Sequence, residues 1–228
     1  MMHTFEADGI SLAFGRRKIL SDVYFRCETG KITALLGGNG QGKTCLMNVV
    51  YGTLPAESKS VRFDQRSVPA AFKDPGQLTY LPQFQFVSSA FSLKRFFADF
   101  GLRYDVFQEI FPAFKTKYHA KMKQLSGGQR RLVEVYAIVK TPSRFSMLDE
   151  PFSHLMPLHI ELIKALIQKE KAHKGFLVTD HLFRHVTDLS DKFYVLEGGQ
   201  PMLRKVWQIS DDSVIAERSH CMLEAVFL

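Results

Sequence analysis

The stretch Lys31-Ile32-Thr33-Ala34-Leu35-Leu36-Gly37-Gly38-Asn39-Gly40-Gln41-Gly42-Lys43-Thr44 decides the fold of this chain. Its first six residues are mostly apolar and predict a short buried strand. The last eight satisfy the pattern G-x-x-x-x-G-K-[ST], and residues 45–51 favour a helix that stops at Gly52. A strand, a glycine-rich loop and a helix in this order predict a phosphate-binding loop.

The residue types in this loop suit a nucleoside triphosphate with magnesium. Small residues let backbone N–H groups curl around phosphates, and the start of the helix adds positive potential. Lys43 can reach the terminal phosphates, and the Thr44 hydroxyl can bind Mg²⁺. The flanking strand and helix argue against the alternative, a glycine-rich turn with an incidental lysine. The predicted nucleotide contacts in this segment are Gly37, Gly38, Asn39, Gly40, Gln41, Gly42, Lys43, Thr44 and Cys45.

A second motif, Leu125-Ser126-Gly127-Gly128-Gln129, narrows the function further. Taken locally, Ser126 and Gln129 form a capping box at the start of a helix that ends before Thr141-Pro142. Many other sequences could form a capping box. At average residue usage, this exact pentapeptide would seldom arise by chance. Two adjacent glycines at a helix start also expose backbone N–H groups to an anion. Ser126, Gly127, Gly128 and Gln129 also match the signature string of a known ATPase family, and this resemblance implies that they contact a nucleotide.

Together, the two motifs resemble those of the nucleotide-binding subunit of the ATP-binding cassette (ABC) ATPases. Four further matches follow in the order of that family. Gln83 closes the string Tyr80-Leu81-Pro82-Gln83, which resembles the Q-loop. Asp149 and Glu150 end a strand-like segment, and His181 follows another. Phe14 stands where the family carries an aromatic residue that stacks on adenine, although it could instead be a core residue.

The resemblance implies ATP as substrate, Mg²⁺ as cofactor and a role for each matched residue. Lys43 would bind the phosphates, while Thr44, Gln83 and Asp149 would hold Mg²⁺. Glu150 would polarise the attacking water, and His181 would contact the γ-phosphate. The residues expected to act in catalysis are Glu150, His181, Lys43 and Gln83.

The resemblance also implies that two chains share their sites. Ser126 and Gly128 would close over the ATP bound to the other subunit of a head-to-tail pair, either a homodimer or a pair with a related cassette. One departure concerns the communication between the two sites. The family ends its D-loop with an aspartate, but the matching segment, Phe152-Ser153-His154-Leu155-Met156, ends in Met156. We therefore expect the coupling between the sites to differ from the family pattern.

The expected fold is α/β, with a P-loop NTPase core built on a mostly parallel sheet. Strand-like segments at 10–14, 23–26 and 60–63 resemble an N-terminal antiparallel β subdomain. Residues from about 85 to 124 resemble a helical subdomain inserted in the core, so residues 1–228 would form a single ABC ATPase domain. Two sets of apolar residues in this insert recur at helical spacing: Leu93, Phe96, Phe97 and Phe100, then Phe107, Ile110, Phe111 and Phe114.

These phenylalanines can fill a small core, which we favour for most of them, or leave a docking patch on the surface. Beyond the insert, Pro157 fits the first turn of a helix with an apolar face. Residues 192–196 predict the last strand of the core, turning at Gly198-Gly199. Residues 201–228 contain no motif.

Composition bounds the class of protein. Of 228 residues, 46% are hydrophobic, enough for a buried core, and 20 are phenylalanine. The net charge is +7, but Lys and Arg are scattered, which argues against nucleic acid as a partner. The three cysteines, Cys27, Cys45 and Cys221, are far apart and predict neither a disulfide framework nor a zinc site. Such cysteine usage fits a reducing cytosol.

The N-terminal residues lack the pattern of a signal peptide, and no apolar stretch approaches the ~20 residues that span a bilayer. We therefore expect a cytoplasmic protein, held at the inner face of the cell membrane by membrane-spanning permease subunits on separate chains. The alternative is a soluble ABC ATPase in assembly or remodelling, for example of iron–sulfur clusters. A third possibility, a degenerate cassette that binds ATP as a structural module, has only Met156 in its support. No residue indicates the cargo.

Overall fold

The computed structural model of the protein describes residues 2–199 and 203–209. The strands are β1 (Thr4–Phe14), β2 (Arg17–Glu28), β3 (Ile32–Leu36), β4 (Ser58–Phe63), β5 (Arg66–Ser67), β6 (Leu78–Leu81), β7 (Phe145–Asp149), β8 (Gly175–Thr179), β9 (Lys192–Gly199) and β10 (Leu203–Ile209). The α-helices are α1 (Lys43–Tyr51), α2 (Leu93–Asp99), α3 (Tyr104–Ile110), α4 (Gly127–Lys140), α5 (Pro157–Glu170) and α6 (Phe183–Leu189). Short 3-10 helices span Ala71–Lys73, Pro112–Phe114 and Met122–Gln124.

The strands form two sheets, which confirms the predicted fold class. Strands β2-β1-β4-β5 make an antiparallel sheet, and β10-β9-β3-β8-β7-β6 make a larger one. Neighbours from β9 to β6 run parallel, and β10 runs antiparallel at the edge. Every residue of β3, β7 and β8 is buried, as expected for parallel strands that are covered on both faces.

Residues 192–196 form a core strand, as predicted, but the chain does not turn at Gly198-Gly199 and this strand is not the last. Strand β9 continues through both glycines, and β10 pairs with it, Leu203 lying opposite Gly199. The sequence of β10 has no regular alternation of apolar and polar residues, so periodicity could not reveal it. Main-chain pairing with a neighbour defines this edge strand instead. The remainder of the C-terminal segment, from residue 210, lies outside the described residues.

The phenylalanines of the helical insert fill a core, as we favoured. Phe96, Phe97, Phe107, Phe111 and Phe114 are all buried. The Phe107 ring lies 4.8 Å from that of Tyr136 on α4, so the insert packs directly on this helix. The second predicted helix is shorter than its apolar spacing suggested. Helix α3 ends at Ile110, because Pro112 cannot continue it, and Phe114 comes from a 3-10 turn.

The two ends of the insert are joined at its base by main-chain bonds. Ser92 and Lys121 form an isolated antiparallel bridge. The Leu93 amide donates to the Ala120 carbonyl at 2.9 Å, and the Lys94 amide donates to the Tyr118 carbonyl at 2.8 Å. The insert therefore leaves and rejoins the core at nearly the same place.

A buried lysine holds the far end of helix α4. Lys174, 2% exposed, donates to the carbonyl oxygens of Thr141 at 2.7 Å and Ile138 at 3.4 Å. Its Nζ also lies 3.3 Å from the hydroxyl of Ser146, so this polar residue of the buried strand β7 has a hydrogen-bond partner. Burial lowers the pKa of Lys174 to about 8, although Glu170 opposes the shift. Within the described part of the chain, no helix is long and apolar enough to cross a membrane.

Candidate nucleotide-binding site

A cavity of about 660 Å³ lies over the glycine-rich loop, within the usual size range of small-molecule sites. It brings together residues from the β1–β2 hairpin, from the loop and from the segments after β6, β7 and β8. Its lining residues are Phe14, Arg17, Ile19, Asn39, Gly40, Gln41, Gly42, Lys43, Thr44, Cys45, Gln83, Glu150 and His181.

The glycine-rich loop lies between the end of β3 and the start of α1. A Cβ atom on Gly37 would lie 2.8 Å from the Leu196 carbonyl oxygen, so only glycine fits there. The Lys43 ammonium donates to the carbonyl oxygens of Gly37 at 2.6 Å and Gly38 at 3.0 Å. Burial lowers the pKa of Lys43, an effect opposed by the nearby Glu150, Asp149 and Asp180 carboxylates. The loop thus presents a cation and backbone amides where α1 begins, an arrangement suited to phosphate.

A buried carboxylate lies beside the first turn of α1. Asp149, 1% exposed at the end of β7, accepts hydrogen bonds from the hydroxyls of Thr44 and of Tyr80, the latter at 3.2 Å. Burial raises the pKa of Asp149, and these two hydrogen bonds oppose the rise.

Hydroxyl and carboxylate oxygens suit Mg²⁺, which keeps several water ligands and takes others from phosphates. In residues 2–199 and 203–209, no group of three or more His, Cys, Asp or Glu side chains forms a metal cage. The pair Thr44 and Asp149 offers a hydroxyl and a carboxylate oxygen, ligand types that Mg²⁺ accepts.

Glu150 occupies a left-handed backbone conformation, with φ of 51°, that non-glycine residues adopt at a cost. Its Oε2 accepts a hydrogen bond from the Ser153 hydroxyl at 3.1 Å and lies 3.6 Å from Nδ1 of His181. The same nitrogen lies 3.4 Å from Oδ1 of the buried Asp180. Asp180 also accepts the Phe152 amide at 2.9 Å, so it links the segments that follow β7 and β8.

At the rim, Phe14 is 53% exposed, so it is not a core residue. It lies at the end of β1, paired with Arg17 across the hairpin. Sequence reasoning did not identify Arg17 or Ile19 as lining residues. The β1–β2 hairpin could have indicated both residues, because it places the start of β2 beside Phe14.

The second motif begins helix α4 as predicted. Ser126 Oγ accepts the Gln129 amide, and Gln129 Oε1 accepts the Ser126 amide, both at 3.2 Å. Ser126 and Gly127 are exposed. None of Ser126, Gly127, Gly128 and Gln129 lines the cavity. A Cβ atom on Gly128 would come within 2.5 Å of the carbonyl oxygen of His154.

Arg131, on helix α4, is a residue of the site that sequence reasoning did not identify. Its side chain is buried, with 4% of its surface exposed. Its guanidinium donates to the carbonyl oxygens of Pro82, Asp149 and Glu150, at 2.8, 2.6 and 2.9 Å. These partners lie far away in the sequence, so no local pattern could reveal them.

The structure therefore unites most of the predicted site. Eleven predicted residues line the cavity: Phe14, Asn39, Gly40, Gln41, Gly42, Lys43, Thr44, Cys45, Gln83, Glu150 and His181. Gly37 and Gly38 lie next to the cavity, where their carbonyl oxygens accept hydrogen bonds from the lining residue Lys43. Asp149 lies next to it as well, hydrogen-bonded to the lining residue Thr44. The four residues of the second motif lie elsewhere.

Comparisons of the sequence with a family model and with individual proteins indicate the same family. Residues 20–153, more than half of the chain, match the model of the ABC transporter family. The chain is 28% identical over 232 residues to the lipopolysaccharide export system ATP-binding protein LptB of Acidithiobacillus ferridurans, covering 95% of this chain and 96% of that protein. It is 27% identical over 207 residues to the high-affinity branched-chain amino acid transport ATP-binding protein BraG of Pseudomonas aeruginosa, covering 85% and 88% of the two chains.

The fold is also similar to that of a solved, nucleotide-free ATP-binding cassette from an ABC transporter. The TM-score is 0.76 at 20% identity, and the match covers 99% of each chain. The phosphate-binding loop, the assembled cavity and the family match agree. The chain belongs to the ABC transporter family, and it is an ATP-binding ATPase of that family.

Proposed function

We propose that this chain is the ATP-hydrolysing subunit of a membrane transporter and drives membrane-spanning chains that are separate polypeptides. The observation that carries the proposal is the single cavity shared by Lys43, Thr44, Gln83, Glu150 and His181. The relatives named above are transport proteins, which favours this role over the alternative in iron–sulfur cluster assembly.

Phosphoryl transfer to water needs neutralised phosphate charge and an aligned nucleophile. Lys43 and the amides of the glycine-rich loop would neutralise the phosphates. Thr44, Gln83 and Asp149 would hold Mg²⁺, which supplies positive charge to the phosphate oxygens. Phe14 would stack on adenine at the rim.

The water would be oriented by the residues after β7 and β8. Glu150 has its carboxylate in the cavity, held by Ser153, and would orient and polarise the water. His181, beside the same carboxylate, would contact the γ-phosphate. Asp180 fixes the backbone on both sides of this pair.

The second motif would complete the site of another chain. Ser126, Gly127, Gly128 and Gln129 begin a capped helix outside their own cavity, and the first two are exposed. A head-to-tail homodimer, or a pair with a related cassette, would bring this helix start to the partner's γ-phosphate. ATP would then hold the pair together from both sides, and hydrolysis would release it.

We also propose that residues 1–228 form one ATPase domain, with a helical subdomain at about 85–124 that receives the membrane-spanning partner. Phe84, just before this subdomain, follows Gln83 directly and is 66% exposed, so its ring is available to a partner. A partner that covers Phe84 would act on the neighbouring Gln83. This arrangement would place the chain on the cytoplasmic face of the membrane.

The test uses tagged Glu150→Gln protein, with Glu57→Gln as a control for the loss of an exposed carboxylate. Both are recovered from native membranes in mild detergent with ATP and magnesium. Multi-span proteins enriched with Glu150→Gln would support the transporter role. Soluble partners alone, with the protein absent from membranes, would contradict it. Near wild-type ATP turnover by Glu150→Gln would overturn the role given to Glu150.

A further inference from the structure

We infer that Arg131 is a positioning residue that joins the start of helix α4 to the two loops carrying Gln83 and Glu150. The inference rests on the proposed function, because it needs those two residues to face the reacting water. It gives each chain an internal link between its own ATP site and the helix that would contact the ATP of its partner.

The link consists of three hydrogen bonds from one guanidinium to main-chain oxygens. Nη1 of Arg131 donates to Pro82, the residue before Gln83, at 2.8 Å. Nη2 donates to Asp149 at 2.6 Å and to Glu150 at 2.9 Å. Strands β6 and β7 are parallel neighbours, so both loops leave the same edge of the sheet. The Arg131 guanidinium lies across that edge, with Nη1 bound to the loop after β6 and Nη2 bound to the loop after β7.

These bonds fix the direction of the Glu150 side chain, in addition to holding the fold. The bond to its own carbonyl oxygen defines the orientation of the peptide after Glu150. That residue also has a φ of 51°, which its surroundings must stabilise. A planar guanidinium can hold three oxygens at set angles, whereas an ammonium cannot reproduce that geometry.

Helix α4 can transmit a displacement because it is rigid over this distance. Arg131 lies five residues after Ser126, little more than one helical turn away. When Ser126 and Gly128 close over the partner's ATP, Arg131 moves with them and carries the Glu150 carbonyl. In this chain, which has Met156 in place of the D-loop aspartate, this route runs through the Arg131 guanidinium to main-chain oxygens.

The experiment compares ATP turnover by the wild-type protein, Arg131→Met, Arg131→Lys and a matched control, Lys174→Met. Lys174 is also a buried cation that donates to main-chain oxygens of the α4 segment, at Ile138 and Thr141. It lies at the opposite end of the helix and touches neither site loop. For each variant, kcat, KM for ATP and the melting temperature are measured on the same preparation.

We expect Arg131→Met to lower kcat by ~10- to 100-fold, with KM changed less than ~3-fold, because Arg131 positions the reacting groups but does not line the cavity. Arg131→Lys should recover part of the rate. Lys174→Met should lower the melting temperature without lowering kcat beyond ~2-fold, since the site loops keep their donor.

An Arg131→Met variant with wild-type kcat would overturn the inference, as would an equal loss of kcat in Lys174→Met. Should Arg131→Met fail to fold, Arg131→Lys decides the question: full wild-type kcat in that variant contradicts the role of the guanidinium. Failure of the proposed function looks different, because the wild-type protein would then lack turnover or Glu150→Gln would retain it.

Discussion

Gly128 lies against the main chain of His154, so closely that a Cβ atom on Gly128 would come within 2.5 Å of the His154 carbonyl oxygen. His154 itself has a left-handed φ of 64°. The start of α4 and the loop before α5 are therefore in direct contact, without a side chain between them.

Gly128→Ala should destabilise the ATP-free chain by about 1–3 kcal/mol, because the added methyl group must displace a main-chain carbonyl. Gly127→Ala is the matched control, since a Cβ there meets nothing within 4 Å. Thermal unfolding of both variants without nucleotide checks the prediction. Equal melting temperatures for the two would show that the His154 loop moves aside freely.

Lys43→Ala should abolish turnover, with a loss of at least ~100-fold, because the phosphates lose their principal cation. The exposed Lys94 on α2, changed to Ala, controls for a general loss of positive charge. ATP binding and phosphate release are measured for both variants. Retention of both activities in Lys43→Ala would contradict the assignment of the phosphate-binding loop.

Phe14→Ala should weaken ATP binding by ~1–3 kcal/mol, the range found when an aromatic platform for a base is removed. Phe14→Tyr should retain the affinity, because its ring offers the same face. Phe72→Ala removes another exposed phenylalanine, 42% exposed, that does not line the cavity. Binding of a fluorescent ATP analogue tests all three. Unchanged affinity in Phe14→Ala would remove this residue from the site.

The contribution of Lys174 to the stability of the protein should rise with pH between about pH 8 and pH 10.5. Its folded-state pKa is lowered by burial to about 8 from an ordinary 10.5. The unfolded chain therefore binds more protons in this window, so the free energy of unfolding increases with pH, by up to ~1.4 kcal/mol per unit.

Buried tyrosines act in the opposite sense at higher pH, since burial raises the pKa of Tyr104 and Tyr136 to about 12. The informative quantity is thus the difference between the wild-type protein and Lys174→Met, measured by denaturant unfolding. A difference that stays constant across the window would show that Lys174 keeps its ordinary pKa.

The parts of the site that sequence could predict are those with a local pattern. The loop around Lys43 and the capping box of Ser126 each lie within a few consecutive residues, and both have the predicted structure. Arg131 shows why the rest could not be predicted. One of its partners, Pro82, is 49 positions away, and all of its partners are main-chain oxygens, which any residue type can offer.

The same limit applies to the fold. Strands β3, β7 and β8 have apolar sequences that indicate burial, but β10 has no periodic pattern and is defined by pairing with β9. Apolar spacing also predicts a longer helix α3 than the structure has, because spacing alone does not show where a helix ends. Apolar spacing continued through Phe114, while Pro112 decided where the helix ended.

The bridge between Ser92 and Lys121, at the base of the helical insert, makes that segment separable from the chemistry it accompanies. Because Ser92 and Lys121 are paired, the segment between them can change in length or sequence without separating Gln83 from Glu150. Strands β6 and β7 keep those two loops adjacent regardless of what the chain does in between. If the insert receives the membrane-spanning partner, as proposed above, exchanging it would change that partner while the ATP site keeps its geometry.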